Sequence, residues 1–280
     1  MTTMKTKSLT TPIIALAAAV VTIARAGTPA AVPPPAPTGD WLAETISPVT
    51  NPIFFEDPAI RSEVRPIYIH HRLDDGFATG GGDVNVYALQ FRYAITDRLA
   101  LIATKDGYID IDLDSGATAT GWADVALGLK YALIDDRANS FILTPGFTFE
   151  IPLGDEDVFQ GNGDGELNLF VSAAKGFGNL HLTGSAGIRI PFDGDDESTI
   201  FHWNAMLDYR VHQYFQPFVS VSGITVVDAG NAMGLTTEGY DLINFGSSFA
   251  DGETQVVLGG GFRSQITPNL SFGVAYEKAI

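Results

Sequence analysis

Cysteine is missing from all 280 residues, which rules out a disulfide framework, thiolate chemistry and any thiolate-bound metal. Basic residues are scarce, 16 against 33 acidic for a net charge of −17. Nucleic-acid phosphates repel such a chain, so no nucleic-acid partner is expected. Past residue 27 no run approaches the ~18 consecutive apolar residues of a membrane helix. The sequence also lacks a phosphate-binding loop and a dinucleotide fingerprint, so no cofactor is expected.

What is present begins with an export signal. Lys5 and Lys7 precede an apolar run from Ile13 to Ile23, and Ala24-Arg25-Ala26 follows as a small-x-small cleavage site. The run is shorter than the ~20 residues that span a bilayer, so residues 1–26 read as a secretory signal peptide. Its removal lowers the basic count to 13 and the net charge to −20. Residues 27–39, rich in proline and alanine, read as an extended linker. Residues 40–63 carry Trp41, Phe54 and Phe55 among Pro48, Pro52 and Pro58. That pattern is neither strand nor helix; it leaves open an inward-folding segment or a periplasmic flap.

From residue 64 apolar and polar residues alternate with a period of two. Phe201, Trp203, Ala205, Leu207, Tyr209 and Val211 oppose His202, Asn204, Asp208 and Arg210; Tyr87, Leu89, Phe91 and Tyr93 oppose Gln90 and Arg92. The segments are long enough to cross a bilayer at a tilt, about 9–11 residues. Aromatics sit near the ends of the apolar faces, and short turns alternate with long loops, as in outer-membrane barrels. The expectation over 64–280 is an all-β, antiparallel transmembrane β-barrel in the outer membrane, with lipid, lipopolysaccharide and the barrel-assembly machinery as partners. Eleven strands are visible, near 64–72, 83–95, 98–111, 121–134, 140–152, 165–176, 179–192, 199–212, 215–227, 253–266 and 269–279. Bacterial barrels normally have an even number. A twelfth strand is therefore expected either within 40–63 or, preferably, beyond a truncated C-terminus, since the chain also ends without a terminal aromatic.

Gly121-Trp122-Ala123-Asp124-Val125-Ala126-Leu127-Gly128-Leu129-Lys130-Tyr131, Phe149-Glu150-Ile151-Pro152-Leu153-Gly154-Asp155, Gly161-Asn162-Gly163-Asp164-Gly165 and the closing Phe272-Gly273-Val274-Ala275-Tyr276-Glu277-Lys278 resemble the outer-membrane proteins of the phenol-degradation (MetA-pathway) family. The resemblance covers roughly residues 83–280 and rests on strand-and-turn motifs. It implies about a dozen strands and a role in moving small, hydrophobic or aromatic compounds. It supplies no catalytic residues.

Inside such a barrel the alternation places Arg92, Asp124, Lys130, Glu150, His181, Arg189, His202, Asp208, Arg210, Arg263 and Glu277, with Gln90, Asp106 and Asn204 among their polar neighbours. Two readings follow: cross-barrel ion pairs that plug the lumen, or a polar channel whose charges set selectivity. The loop 228–252 is unusually apolar, and Leu235, Tyr240, Phe245 and Phe249 are candidate gate residues. The acidic loops fail the calcium-loop pattern, because Ser115 stands where glycine is needed; no metal site is expected. Ser185 and His202 could share the lumen, but nothing in their spacing marks a catalytic pair, and no enzyme is expected. Two functions remain: transport of a small-molecule solute through the lumen, or a plugged structural or interaction barrel acting through its outer loops.

Overall fold

A computed structural model describes residues 15–23, 41–77 and 79–280. Its strands are β1 (Ala15–Ile23), β2 (Glu63–Leu73), β3 (Gly82–Ala94), β4 (Leu99–Lys105), β5 (Tyr108–Leu113), β6 (Thr118–Trp122), β7 (Val125–Tyr131), β8 (Ile134–Asp136), β9 (Phe141–Ile151), β10 (Glu166–Phe177), β11 (Leu180–Pro191), β12 (Thr199–Tyr209), β13 (Gln216–Asp228), β14 (Thr254–Thr267) and β15 (Leu270–Ala279). One short helix, α1 (Trp41–Glu44), precedes β2. All pairings between these strands are antiparallel, and pairing of β2 with β3 closes the sheet on itself. β4 and β5 both pair with β3 and form one broken stave; β6, β7 and β8 form a second. Among the described residues the barrel therefore has twelve staves.

All eleven expected strands are present. The twelfth stave comes from neither expected place. β1 lies between β2 and β15, pairing Ala18 with both Ile69 and Ala275. It thus falls inside the stretch read as a signal. An open barrel leaves rows of unpaired backbone groups on both flanking strands, each costing several kcal/mol in lipid, and an apolar extended segment satisfies both rows. The cleavage motif at residues 24–26 and the linker 27–39 lie outside the described residues.

The broken staves step at one height. Thr104 and Lys105 are both buried, with a register shift between Ala103 and Lys105. Gly107 (φ 125°) follows, where a side chain would strike the Tyr87 carbonyl oxygen at 2.6 Å. Asp106, expected in the lumen, instead accepts a hydrogen bond from the Leu89 N–H at 2.7 Å. Its carboxylate supplies the acceptor that the ladder lacks between β4 and β5.

Large apolar side chains point outward, among them Leu89, Phe91, Leu101, Leu127, Phe147, Leu169, Leu182, Leu207 and Leu258. On the long-loop side, register aligns Tyr68, Tyr87, Tyr108 and Trp122 across four strands, with ring centroids 5.2 Å apart at Tyr68–Tyr87 and 5.3 Å at Tyr108–Trp122. This is an interfacial aromatic row. Beyond it the wall inverts. His70, Asp83, Asn85, Asp110 and Asp112 take the outward positions, while Ile69, Val84, Val86, Ile109 and Ile111 are buried inside. That sector of the rim stands in water and carries its own apolar core.

Removing residues 1–26 takes β1 away and strips partners from β2 and β15. Refolded chain 27–280 is expected to lose the heat-modifiable gel migration that the full chain shows. Equal migration by the two would demonstrate that another segment fills the seam.

Candidate functional site: a plugged lumen under a folded lid

Wall side chains fill an eight-stranded barrel, whereas 16–18 strands leave an aqueous channel. Twelve staves leave room for a further segment, and residues 41–62 occupy it. α1 sits at the short-turn end. Trp41 lies against Gly176, where a Cβ would come 2.8 Å from the ring, and packs with Leu42, Ala59, Ala132, Ile142 and Ala174. The chain then rises into the lumen and returns to β2. Prolines and the absence of any period in this stretch concealed the plug; its only sequence signal is three large aromatics in a segment with no strand pattern.

The plug is tied to the wall around its circumference. Glu56 is buried between Arg92 (Nη2 at 2.5 Å) and Lys130 (Nζ at 2.7 Å). Lys130 also donates to the Asp57 carbonyl at 2.5 Å. Asp57 pairs with Arg61 at 3.0 Å and accepts from the Ser47 hydroxyl at 2.9 Å. Gln90, Thr144 and Arg263 donate to the carbonyls of Pro52, Pro58 and Ser47 at 2.8, 2.7 and 2.8 Å. Asn51 donates to the Asn204 side chain at 2.9 Å, and Phe54 stacks on His202 at 4.4 Å.

Above the plug a second polar layer crosses the lumen. Lys105 pairs with Glu150 at 2.5 Å, and Arg189 bridges Glu150 (3.5 Å) and Glu166. Between plug and layer lies a void of about 10 Å³ lined by Ile53, Phe54, Thr104 and Arg189 among others, room for about one water.

The long loop 229–253 folds over the mouth. Glu238 organises it, accepting from the Ser198 hydroxyl and the Ser247 N–H at 2.7 Å and from the Phe245 N–H at 2.8 Å. Asn244 donates to Glu166 at 2.7 Å and accepts from the Ser198 N–H at 2.9 Å, tying lid to lumen. Tyr240 is buried, Leu235 and Phe245 are half-buried, and Phe249 lies exposed on the outside of the lid. Phe245 meets Phe159 edge-on at 5.4 Å beside an outer pocket of about 160 Å³ that Asn162, Asp196 and Met233 also line.

Of the expected lumen residues, Arg92, Asp124, Lys130, Glu150, His181, Arg189, His202, Asp208, Arg263 and Glu277 are buried inside the barrel. Asp124 also holds the loop after β9, accepting from the Gly154 and Gly161 N–H groups at 2.8 and 2.9 Å. His181 and Asp208 pair at 2.8 Å near α1. Arg210 is only half-buried, at the barrel end, where it pairs with Glu44 of α1. Ser185 and His202 do not engage each other: the Ser185 hydroxyl accepts from Asn204 at 3.0 Å, and the His202 ring bonds to Asn168 at 2.8 Å. Among the described residues no cluster of three or more His, Asp or Glu side chains is arranged to hold a metal.

A closed antiparallel sheet, apolar outside and polar within, is a transmembrane β-barrel. No family model and no curated protein sequence matches the chain. Among solved structures it is similar to an outer-membrane channel from Pseudomonas putida F1, at 12% identity over 96% of this chain and 95% of that one, with a TM-score of 0.48. It is also similar to an anion-selective porin from Comamonas acidovorans (12% identity, 79% of this chain and 60% of that one, TM-score 0.32) and a BenF-like porin from Pseudomonas fluorescens Pf-5 (10%, 80% and 71%, TM-score 0.22). The barrel assignment rests on this chain's own pairing and surface.

Burial and the neighbouring Glu166 charge push the Glu197 carboxyl up to about 8, and burial pushes that of Asp241 up to about 6. Both lie in outer loops. A carboxyl raised in the closed lid binds its proton there more tightly than when released. Its contribution is complete below the ordinary carboxylate range and is lost as pH rises through the raised value. Hydrogen exchange across residues 229–253, corrected for intrinsic rates, is expected to quicken from pH 5 to pH 8.5. Glu197→Gln should flatten the alkaline part of that rise. Exchange independent of pH would contradict this electrostatic account of the lid.

Proposed function

We propose that the chain is an outer-membrane barrel that passes small solutes by passive or facilitated transport when plug and lid shift. The observation that carries this reading is the plug itself. A structural barrel needs no separate segment in its lumen, whereas a gated one needs a part that can move without opening the wall. Residues 41–62 form no strand of the wall and are held mainly by side-chain contacts to it. Insertion by the barrel-assembly machinery belongs to the same reading, as does export directed by residues 1–26, with β1 closing the wall only in chain that keeps that stretch. The solute class follows from the resemblance to the phenol-degradation family: small hydrophobic or aromatic compounds. The outer pocket beside Phe159, Met233 and Phe245 supports this, being apolar on one side and large enough for a small ring.

A second reading has a specific observation in its favour. Phe249 is 70% exposed on the lid, which suits a surface that meets another molecule. Liposome swelling separates the two. The refolded full chain is expected to admit sugars, amino acids and aromatic acids slowly. Glu56→Gln should swell faster, because it leaves the buried Arg92 and Lys130 poorly paired. Breaking such a pair costs roughly 3–5 kcal/mol, enough to loosen the plug. No swelling by either protein, with both shown folded by heat-modifiable migration, would overturn transport in favour of the interaction barrel.

A further inference from the structure

Plug, lid and wall meet at one point. Thr50 and Asn51 come from the plug, Tyr240 and Asp241 from the lid, Ser220 and Ser222 from β13, and Glu277 from β15; all seven are buried. A Cβ placed on Gly259, between Ser220 and Glu277 in the ladder, would come within 2.5 Å of the Ser220 Oγ, 2.7 Å of Thr50 and 3.1 Å of the Glu277 stem. The Asn51 N–H donates to Glu277 Oε2 at 3.3 Å. The Tyr240 hydroxyl neighbours Ser222 and Asn51. Tyr240 holds a left-handed backbone (φ 68°), unusual for an aromatic residue, and so reaches down into this junction.

The junction is rich in oxygens that no described residue satisfies. Thr50 Oγ1, Ser220 Oγ, Asp241 Oδ2 and Glu277 Oε1 are buried without a hydrogen-bond partner. The charged or polar groups acting on the Glu277 carboxylate are Asp241 and the Asn51 N–H, with no arginine, lysine or histidine among them. Lys105 and Arg189 act on Asp241 but not on Glu277, and a buried carboxylate that feels a second carboxylate and no cation is costly. Elsewhere in this lumen Glu56, Glu150 and Glu166 each have a cation in contact. The departure at Glu277 is local.

We infer that these groups form a site for a divalent alkaline-earth cation that joins plug, lid and wall. The donors are hard oxygens, as calcium and magnesium require, and two carboxylates balance a double positive charge. With only two carboxylates, hydroxyl oxygens and water complete the shell. Affinity then falls in the weak range typical of extracellular modules, about 10⁻⁴–10⁻³ M. The bound cation would hold the closed state. The inference does not depend on solute flux.

The test is thermal conversion of the folded gel band, on refolded full chain in lipopolysaccharide-free detergent. Calcium chloride is compared with chelator and with sodium chloride at matched ionic strength. Calcium should raise the wild-type conversion temperature by several degrees. Glu277→Gln and Asp241→Asn should each convert later than wild type in chelator, since the repulsion is relieved, and should lose the calcium response. Asp193→Asn, on an outer loop, should keep it. The inference is overturned by a wild type indifferent to calcium, by equal protection from sodium, or by calcium responses retained in both variants.

Discussion

A single carboxylate, that of Glu56, stands between Arg92 and Lys130 in the middle of the barrel, with all three side chains removed from water. The wall places two cations at that height, and a barrel of twelve staves is too wide for its own side chains to neutralise everything it points inward. Without Glu56, Lys130 would lose its 2.7 Å partner and Arg92 would fall back on Glu63, 3.6 Å away. With it, the segment that carries it becomes part of the interior. The other plug contacts follow from that anchoring: once residue 56 is fixed, the carbonyls of Ser47, Pro52, Phe54 and Pro58 fall within reach of Arg263, Gln90, Asn204 and Thr144. Buried ion pairs are weak evidence for stability but are costly to break one-sidedly. That asymmetry gives a closed state that is well defined, with charge pairs that are costly to break singly.

The same logic divides the interior into three levels. At the short-turn end, α1 is seated by apolar contacts, with Arg210 pairing with Glu44 and Gln216 donating to the Glu44 carbonyl at 2.8 Å. At mid-height the plug is held by charge. Above it, Lys105 and Arg189 serve a carboxylate layer to which the lid attaches through Asn244 and Glu166. Displacing plug or lid therefore means separating charges in a poorly hydrated space, and water entering the lumen lowers that cost by raising the local dielectric. Gating and hydration are coupled in this design.

The period-two alternation made the barrel legible, because a residue facing lipid and a residue facing the lumen cannot exchange places without large cost. It located all eleven C-terminal staves and put ten of the twelve expected charged or histidine side chains inside, Asp106 and Arg210 being the exceptions. It could not reveal the plug, since residues 41–62 have no period and their contacts are with residues far away in sequence; Glu56 to Lys130 and Asn51 to Glu277 are examples. Nor could it reveal the inverted rim. Asp83-Val84-Asn85-Val86 and Ile109-Asp110-Ile111-Asp112 alternate as cleanly as the rest, but alternation does not say where the bilayer ends. Only the alignment of Tyr68, Tyr87, Tyr108 and Trp122 supplies that level. The β1 stave was hidden for a different reason. Ala15–Ile23 has the composition of a secretory h-region, and apolar content alone does not distinguish a segment that is removed from one that pairs with an exposed edge.

The closed lumen depends on residues 41–62 filling it. Because the chain has no cysteine, one introduced thiol reports on one position. Val49 is fully buried in the plug, whereas Asn231 is exposed on the outer loop. In folded, vesicle-inserted protein, a membrane-impermeant maleimide should label Asn231→Cys quickly and leave Val49→Cys unmodified until the barrel is unfolded. Equal labelling rates at the two positions would mean that water reaches the plug freely, and the closed lumen described here would be wrong.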